Sequence, residues 1–361
     1  MLPVVNAILE RKVLWLLVLV PLLLVAAPLM HEWQSLLFIL SVLAIVPLAA
    51  MLSLATEQVA ARTGDAIGGL LNATLGNLTE LIIGLTALRA GEYLLVKASL
   101  AGAIVTNTLF MTGACFLLGG LKYHVQEFNS ASTRLQMGLL FLAAFGLMVP
   151  SALADMDAQV LPGSLSVTIA VILLVTYGFS LFFTLGTHRK YFAAAKGHDG
   201  DEEHLWPISA AVIVLLVTTV AVALVSEIFV ESLTAASASL GLTPAFVGFI
   251  VVAVVGAAAE MTAAFSAARR NRLDLSLGIS FGSSAQIALF VAPVLVMLSY
   301  VLGPEPMSLQ FWPGAVAMIF IATLAAAMVS SSGHAAWFIG LLMLMIYAVF
   351  GATLFILPPA H

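Results

Sequence analysis

Charge is what this sequence has least of. Charged residues make up 9% of its 361 positions, against the roughly 25% with which a soluble domain covers its surface. A water-facing exterior is excluded, and lipid is the solvent left for most of the chain. Cysteine is nearly absent too. Cys115 stands alone, so no internal disulfide is possible and no Cys/His cluster offers a zinc site. Inside its apolar run it reads as a small core residue. No basic block or aromatic-basic interleaving points to nucleic acid, and no HExxH motif points to a zinc protease. Arg11 and Lys12 precede an apolar stretch but no small-residue cleavage site follows, so the segment reads as a retained first helix rather than a signal peptide.

What the chain has in abundance is apolar length: 62% of its residues are hydrophobic. A bilayer core about 30 Å thick needs roughly 20 apolar residues per helix. Eleven segments meet that test, at about 12–30, 34–55, 66–88, 94–119, 135–154, 162–186, 206–229, 243–268, 274–300, 310–330 and 334–357. The expected fold class is therefore an all-α integral membrane protein of about 11 transmembrane helices. With the N-terminus in the cytoplasm, the inner loops collect Arg11, Lys12, Arg62, Lys122, Arg134, Arg189, Lys190, Lys196, Arg269, Arg270 and Arg272. The outside receives only Arg89 and Lys97. That asymmetry follows the positive-inside rule and puts the C-terminus outside.

The longest hydrophilic stretch, 187–205, separates two groups of five segments. The expected division is 1–32 as N-terminal segment and first transmembrane helix, 33–186 as a first five-helix repeat, 187–205 as a cytoplasmic acidic/basic loop, and 206–361 as a second five-helix repeat. Five is odd, so homologous halves cross the membrane in opposite senses, the arrangement of inverted-repeat transporters. At an offset of 180 residues Gly76 meets Gly256, Glu80 meets Glu260, Ala87 meets Ala267, Gly102 meets Gly282 and Phe110 meets Phe290. The two carboxylates placed in mid-segment coincide.

An ionised carboxylate in lipid costs at least a few kcal/mol, so each must face a polar cavity, pair with a cation or be protonated. Neither Glu80 nor Glu260 lies near an expected helix end. Asn72, Gly76, Asn77 and Glu80 fall on one helical face. Ser99, Thr106 and Asn107 recur at helical spacing on the fourth segment. Ser276, Ser280, Ser283 and Ser284 do so on the ninth, with Gln286 close by. Two carboxylates with amide and hydroxyl oxygens make a hard-oxygen shell that suits calcium. Small polar residues also serve plain helix packing in membranes. Gly76, Gly84, Gly248 and Gly256 are expected to allow helix breaks that free backbone carbonyls.

The run ATEQVAARTGDAIGGLLNATLGNLTELIIGLTALRAGEYLLVKASLAGAIVTN, the QEFN at 126–129 and DLSLGISFGSSAQIALFVAP at 274–293 resemble the calcium/proton exchangers of the cation/calcium exchanger superfamily. The resemblance implies antiport of calcium against protons by alternating access, with Glu80 and Glu260 carrying both ions. It carries Asn77, Asn107, Ser283, Ser284 and Gln286 over as further metal ligands. It implies calcium as transported substrate, no cofactor, the lipid bilayer as partner and no enzymatic activity, and it leaves a homo-oligomer open. One place departs from the family pattern. The second repeat reads Gly256, Ala257, Ala258, Ala259, Glu260, Met261 where the family has Gly-Asn-x-x-Glu-His, so an oxygen ligand and an imidazole are missing. The compact length points to a prokaryotic inner membrane. A sodium/calcium or other divalent cation exchanger is the alternative; an intramembrane enzyme or a channel is the weakest reading.

Overall fold

The computed structural model describes residues 2–30, 32–154, 163–188 and 205–357. Most of the acidic/basic loop expected at 187–205, with Arg189, Lys190 and Lys196, lies outside the described residues. The chain is helical almost throughout. Short helices α1 (Leu2–Glu10) and α2 (Lys12–Ala26) lead into α3 (Gln34–Arg62). A bent pair, α4 (Asp65–Leu75) and α5 (Leu78–Arg89), is followed by α6 (Tyr93–Tyr123), α7 (Ser130–Ala154) and α8 (Gly163–Thr187). The second half runs α9 (Ile208–Leu240), a bent pair α10 (Pro244–Gly256) and α11 (Ala258–Arg269), then α12 (Leu273–Leu302), α13 (Pro313–Ser330) and α14 (Trp337–Ile356). Eight of these are long and apolar enough to cross a bilayer, ten if each bent pair is one span, and α2 is shorter.

Burial sorts the helices into core and rim. In α6, 83% of the apolar window is buried, against 22% in α8 and in α9. The reason is side-chain size. Ala98, Ala101, Gly102 and Ala103 let α6 run against the backbone of α10, where a Cβ on Gly102 would overlap Phe249. The rim helices carry Val171, Ile172, Val175 and Phe179 on α8 and Ile213, Leu216, Val217 and Val220 on α9, all exposed. Such a continuous apolar exterior has no stable place in water and matches a hydrocarbon surround.

Two helices overrun their expected ends. α3 continues to Arg62 because that guanidinium donates to the carbonyls of Trp206 (3.1 Å) and Leu205 (3.0 Å), tying the helix end to the start of the second half. Glu57 thus sits within α3, beyond the expected end at residue 55. α9 has 33 residues, or about 50 Å of helix, well beyond an apolar core about 30 Å thick. Exposed Glu231 lies in this overrun, and exposed Glu227 one turn before it.

Two three-residue strands complete the fold. β1 (Val125–Glu127) pairs antiparallel with β2 (His334–Ala336), Gln126 opposite Ala335. They join the segment after α6 to the segment before α14. Gln126 is buried there and donates to the Ala268 carbonyl (3.0 Å) and to Asn271 Oδ1 (2.8 Å), clamping the turn between α11 and α12.

Candidate functional site

The centre of the molecule is built on the two helix breaks. α4 and α5 meet at 42°, and α10 and α11 meet at 58°. At the first, Gly76 ends α4 and Asn77 leaves helical geometry at φ −104°, ψ 32°; at the second, Ala257 does so at φ −80°, ψ 5°. Sequence periodicity placed Glu80 and Glu260 in mid-helix. The breaks instead put each in the first turn of a new helix, α5 and α11 respectively. This is a correction with a chemical consequence, because free N–H groups and the positive end of the helix dipole stabilise an anion there. The first break also takes Asn72 off the face of Glu80 and leaves it exposed.

Only two of the four glycines expected to open helices do so. Gly84 and Gly248 lie in continuous helix, and each is a point of close packing. A Cβ on Gly84 would come within 2.8 Å of Leu295, and one on Gly248 within 2.7 Å of the Ala98 Cβ.

The carboxylates reach each other across the halves. Glu80 lies directly on Gly256, where an added Cβ would stand 3.1 Å from Glu80 Oε1 and 3.2 Å from its Cγ. Glycine at 256 leaves room for the carboxylate of the other half, which a side chain there would push aside by a few tenths of an ångström. Glu260, four residues on, is within electrostatic reach of Glu80 and stands beside Ser283. Its Oε2 atom is buried without a hydrogen-bond partner.

Around the acids runs a chain of amides and hydroxyls. Asn77 Nδ2 donates to Gln286 Oε1 (2.6 Å), Ser283 Oγ donates to Asn77 Oδ1 (2.7 Å), and Asn107 Nδ2 donates to Ser283 Oγ (3.0 Å). Four of the expected residues, on α6, α12 and the first break, are thus one connected unit. Its free end is Asn107 Oδ1, buried and unpartnered. A buried acceptor without a donor costs about 1–3 kcal/mol, and a cation or a proton would satisfy an acceptor of this kind. A cation fits that donor set: two carboxylates and neutral oxygens, all hard ligands. Among the described residues no group of three or more His, Cys, Asp or Glu side chains is arranged to hold a metal ion.

Ser284 differs from the others. Its hydroxyl donates to the carbonyls of Ser280 (2.9 Å) and Ile104 (3.4 Å) and meets Thr108 Oγ1 at 3.0 Å, so it joins α6 to α12. Ser276 similarly donates to the Ala264 carbonyl (2.8 Å). The residues 278–282 read Gly-Ile-Ser-Phe-Gly, but they lie inside α12, without the strand-to-helix turn that a serine nucleophile elbow requires. Sequence periodicity missed Thr108, Tyr177 and Tyr347. Tyr177 donates to the Ala73 carbonyl at 2.7 Å, and the Tyr347 hydroxyl meets Thr106 Oγ1 at 3.0 Å. Both tyrosines sit in apolar rim helices, and nothing in the local pattern distinguishes them from packing residues.

Known proteins share this architecture. The family described as sodium/calcium exchanger protein matches residues 33–186 and 210–356. The chain is 38% identical over 348 residues to the Ca(2+)/H(+) antiporter of Aphanothece halophytica, covering 91% of this chain and 92% of that protein. It is 40% identical over 347 residues to the Ca(2+)/H(+) antiporter of Synechocystis sp., covering 90% and 92%. The solved structure of native YfkE superposes with a TM-score of 0.82 at 33% identity, covering 96% of this chain and 100% of that one.

Proposed function

The chain belongs to the sodium/calcium exchanger protein family, and from that premise we propose that it is a secondary antiporter exchanging calcium for protons by alternating access. Relatives covering nine tenths of the chain are named Ca(2+)/H(+) antiporters. The observation that carries the reading is the meeting of Glu80, seated on Gly256, with Glu260, whose Oε2 is buried and unpartnered. Two carboxylates held together repel when both are ionised. Calcium neutralises both, and so do protons. The site is stable loaded with either and costly when empty in a dry surround. If only loaded states reorient, calcium moving one way is tied to protons moving the other. Glu80 and Glu260 carry both ions in this scheme, and Asn107 supplies a further oxygen. Asn77, Ser283 and Gln286 hold the amide chain or turn their oxygens to the ion once it arrives.

The membrane arrangement belongs to the same proposal. Eleven crossings correspond to eight long apolar helices, two bent pairs and the shorter α2. A leading helix and two inverted five-helix repeats are supported by the matching breaks at 76–77 and 256–257 and by π-helical stretches at Thr106–Met111 and Ile287–Val291. The distribution of Lys and Arg supports a cytoplasmic N-terminus in a prokaryotic inner membrane. The test is calcium uptake into everted vesicles, with and without an imposed pH gradient and with and without sodium. Uptake that needs the pH gradient and ignores sodium is expected. Uptake driven by a sodium gradient alone would overturn the proton-coupled reading in favour of sodium/calcium exchange.

A further inference from the structure

In a continuous helix the N–H of residue i+4 bonds to the carbonyl of residue i. At the second break this bond survives: the Ala257 N–H donates to the Ala253 carbonyl at 3.2 Å. The equivalent pair at the first break, 180 residues earlier, is Asn77 and Ala73. Among the described residues the Asn77 N–H makes no such bond. The Ala73 carbonyl accepts instead from the Tyr177 hydroxyl at 2.7 Å.

Tyr177 is 6% exposed and comes from α8, a helix only 22% of whose apolar window is buried. Its ring packs on Phe290 with centroids 5.3 Å apart and planes at 31°. Phe290 lies in the π-helical stretch of α12, one turn beyond Gln286. Gln286 in turn holds Asn77. The first break is therefore braced on both sides against α12, through Tyr177 before it and through Asn77 after it. A carbonyl freed from its helix bond needs another donor, and the hydroxyl that satisfies it also ties the end of α4 to α8.

The second half has a tyrosine with a similar ring contact whose hydroxyl does something else. Tyr347 of α14 packs on Phe110 at 5.3 Å, matching the ring contact of Tyr177. Its hydroxyl, however, meets the Thr106 side chain and not a backbone carbonyl of the second break. The two rings are alike and the two hydroxyls are not.

We propose that Tyr177 is a positioning residue for Glu80: by replacing the helix bond missing at the first break, its hydroxyl sets the direction of α5 and so the place of the carboxylate three residues beyond. The proposal rests on the reading of Glu80 as an ion carrier. It separates Tyr177, which acts through the backbone, from the residues that touch the ion. Removing the hydroxyl loosens the break, and Glu80 spends less time where Glu260 and Asn107 can share an ion with it.

The test is Tyr177→Phe in the full-length protein reconstituted into vesicles, which keeps the ring and deletes one hydrogen bond. The apparent KM for calcium is expected to rise about fivefold with turnover nearly unchanged, the effect of one hydrogen bond of ordinary strength. Amide hydrogen exchange across residues 74–80 is expected to quicken by a similar factor. Tyr347→Phe should shift KM far less. If Tyr177→Phe inserts poorly, Phe290→Leu, which removes the ring support, is read by the same two measurements. Unchanged KM and unchanged exchange protection overturn the proposal, as does an equal KM shift in Tyr347→Phe. Wild-type protein that moves no calcium under a pH gradient defeats the transport reading instead, while the exchange measurement still judges the brace.

Discussion

The two helix breaks occupy equivalent places in the two halves, yet they are held by different means. At the first, Asn77 gives a donor to Gln286 and an acceptor to Ser283, and Tyr177 satisfies the Ala73 carbonyl. At the second, fully buried Ala257 offers no polar side-chain atom, and its backbone N–H bonds to the Ala253 carbonyl. The glycines differ as well. Gly256 is the floor on which Glu80 rests, whereas a Cβ on Gly76 would face Gln286 Oε1 at 3.6 Å, not Glu260. Glu80 is packed and steered by its surroundings; Glu260 keeps a buried oxygen without a partner. The two breaks therefore share a backbone device but not the polar field around it.

The strongest challenge to the comparison is to treat the acids as equals. Glu80→Gln and Glu260→Gln keep shape and lose charge, and each is expected to reduce coupled exchange to background while the protein still inserts. Near-normal calcium uptake by either variant, at matched protein amount, would remove that carboxylate from the ion path and make the halves unequal in kind. Proton competition is the next largest effect. Protons and calcium share the same oxygens, so apparent calcium affinity should weaken as pH falls from about 8 to about 5, by up to about tenfold per pH unit for each proton displaced. Calorimetric titration of the wild type measures that slope, and a flat profile would mean separate sites for the two ions.

Asn77→Ala sharpens the contrast directly. It leaves Gln286 Oε1 and the Ser283 hydroxyl without their partner, at a cost of about 1–3 kcal/mol, and calcium affinity is expected to fall by roughly tenfold. If affinity were unchanged, the braced break would be no better at holding an ion than the bare one. Ala257→Asn is the reciprocal change and the smallest. Residue 257 is fully buried in the hydrophobic core, so an unpaired amide there should lower stability by about 1–3 kcal/mol. Calcium affinity should stay within about twofold of wild type. Thermal unfolding and calcium titration on the same sample decide it. Tighter calcium binding would mean that the family's missing oxygen ligand is truly vacant here.

Much of this site was legible in the residues alone. Glu80, Glu260, Asn77, Asn107, Ser283 and Gln286 stand out because polar groups inside long apolar runs need a reason to be there. Ser284 stood out equally, and the fold turns it to the carbonyls of Ser280 and Ile104. Periodicity assigns a residue to a face and cannot say whether that face meets an ion or another helix. Gly84 and Gly248 carry the same ambiguity, since glycine serves a break and a close helix contact equally well. Tyr177 was invisible because its role depends on a carbonyl 104 residues away.

By itself the sequence determined the class of the molecule. Apolar runs of spanning length compel helices, since in lipid each backbone group must be satisfied within its own segment. The scarcity of charge made the few buried acids conspicuous. Only the tertiary structure decided where those helices break and which atoms meet at the breaks. The bond between Asn77 and Gln286 joins residues 209 apart in the chain, and Glu80 finds its place on a glycine of the other half. Hydrogen-bond partners and close approaches are set by distance in space, and no local pattern records which distant helix will arrive.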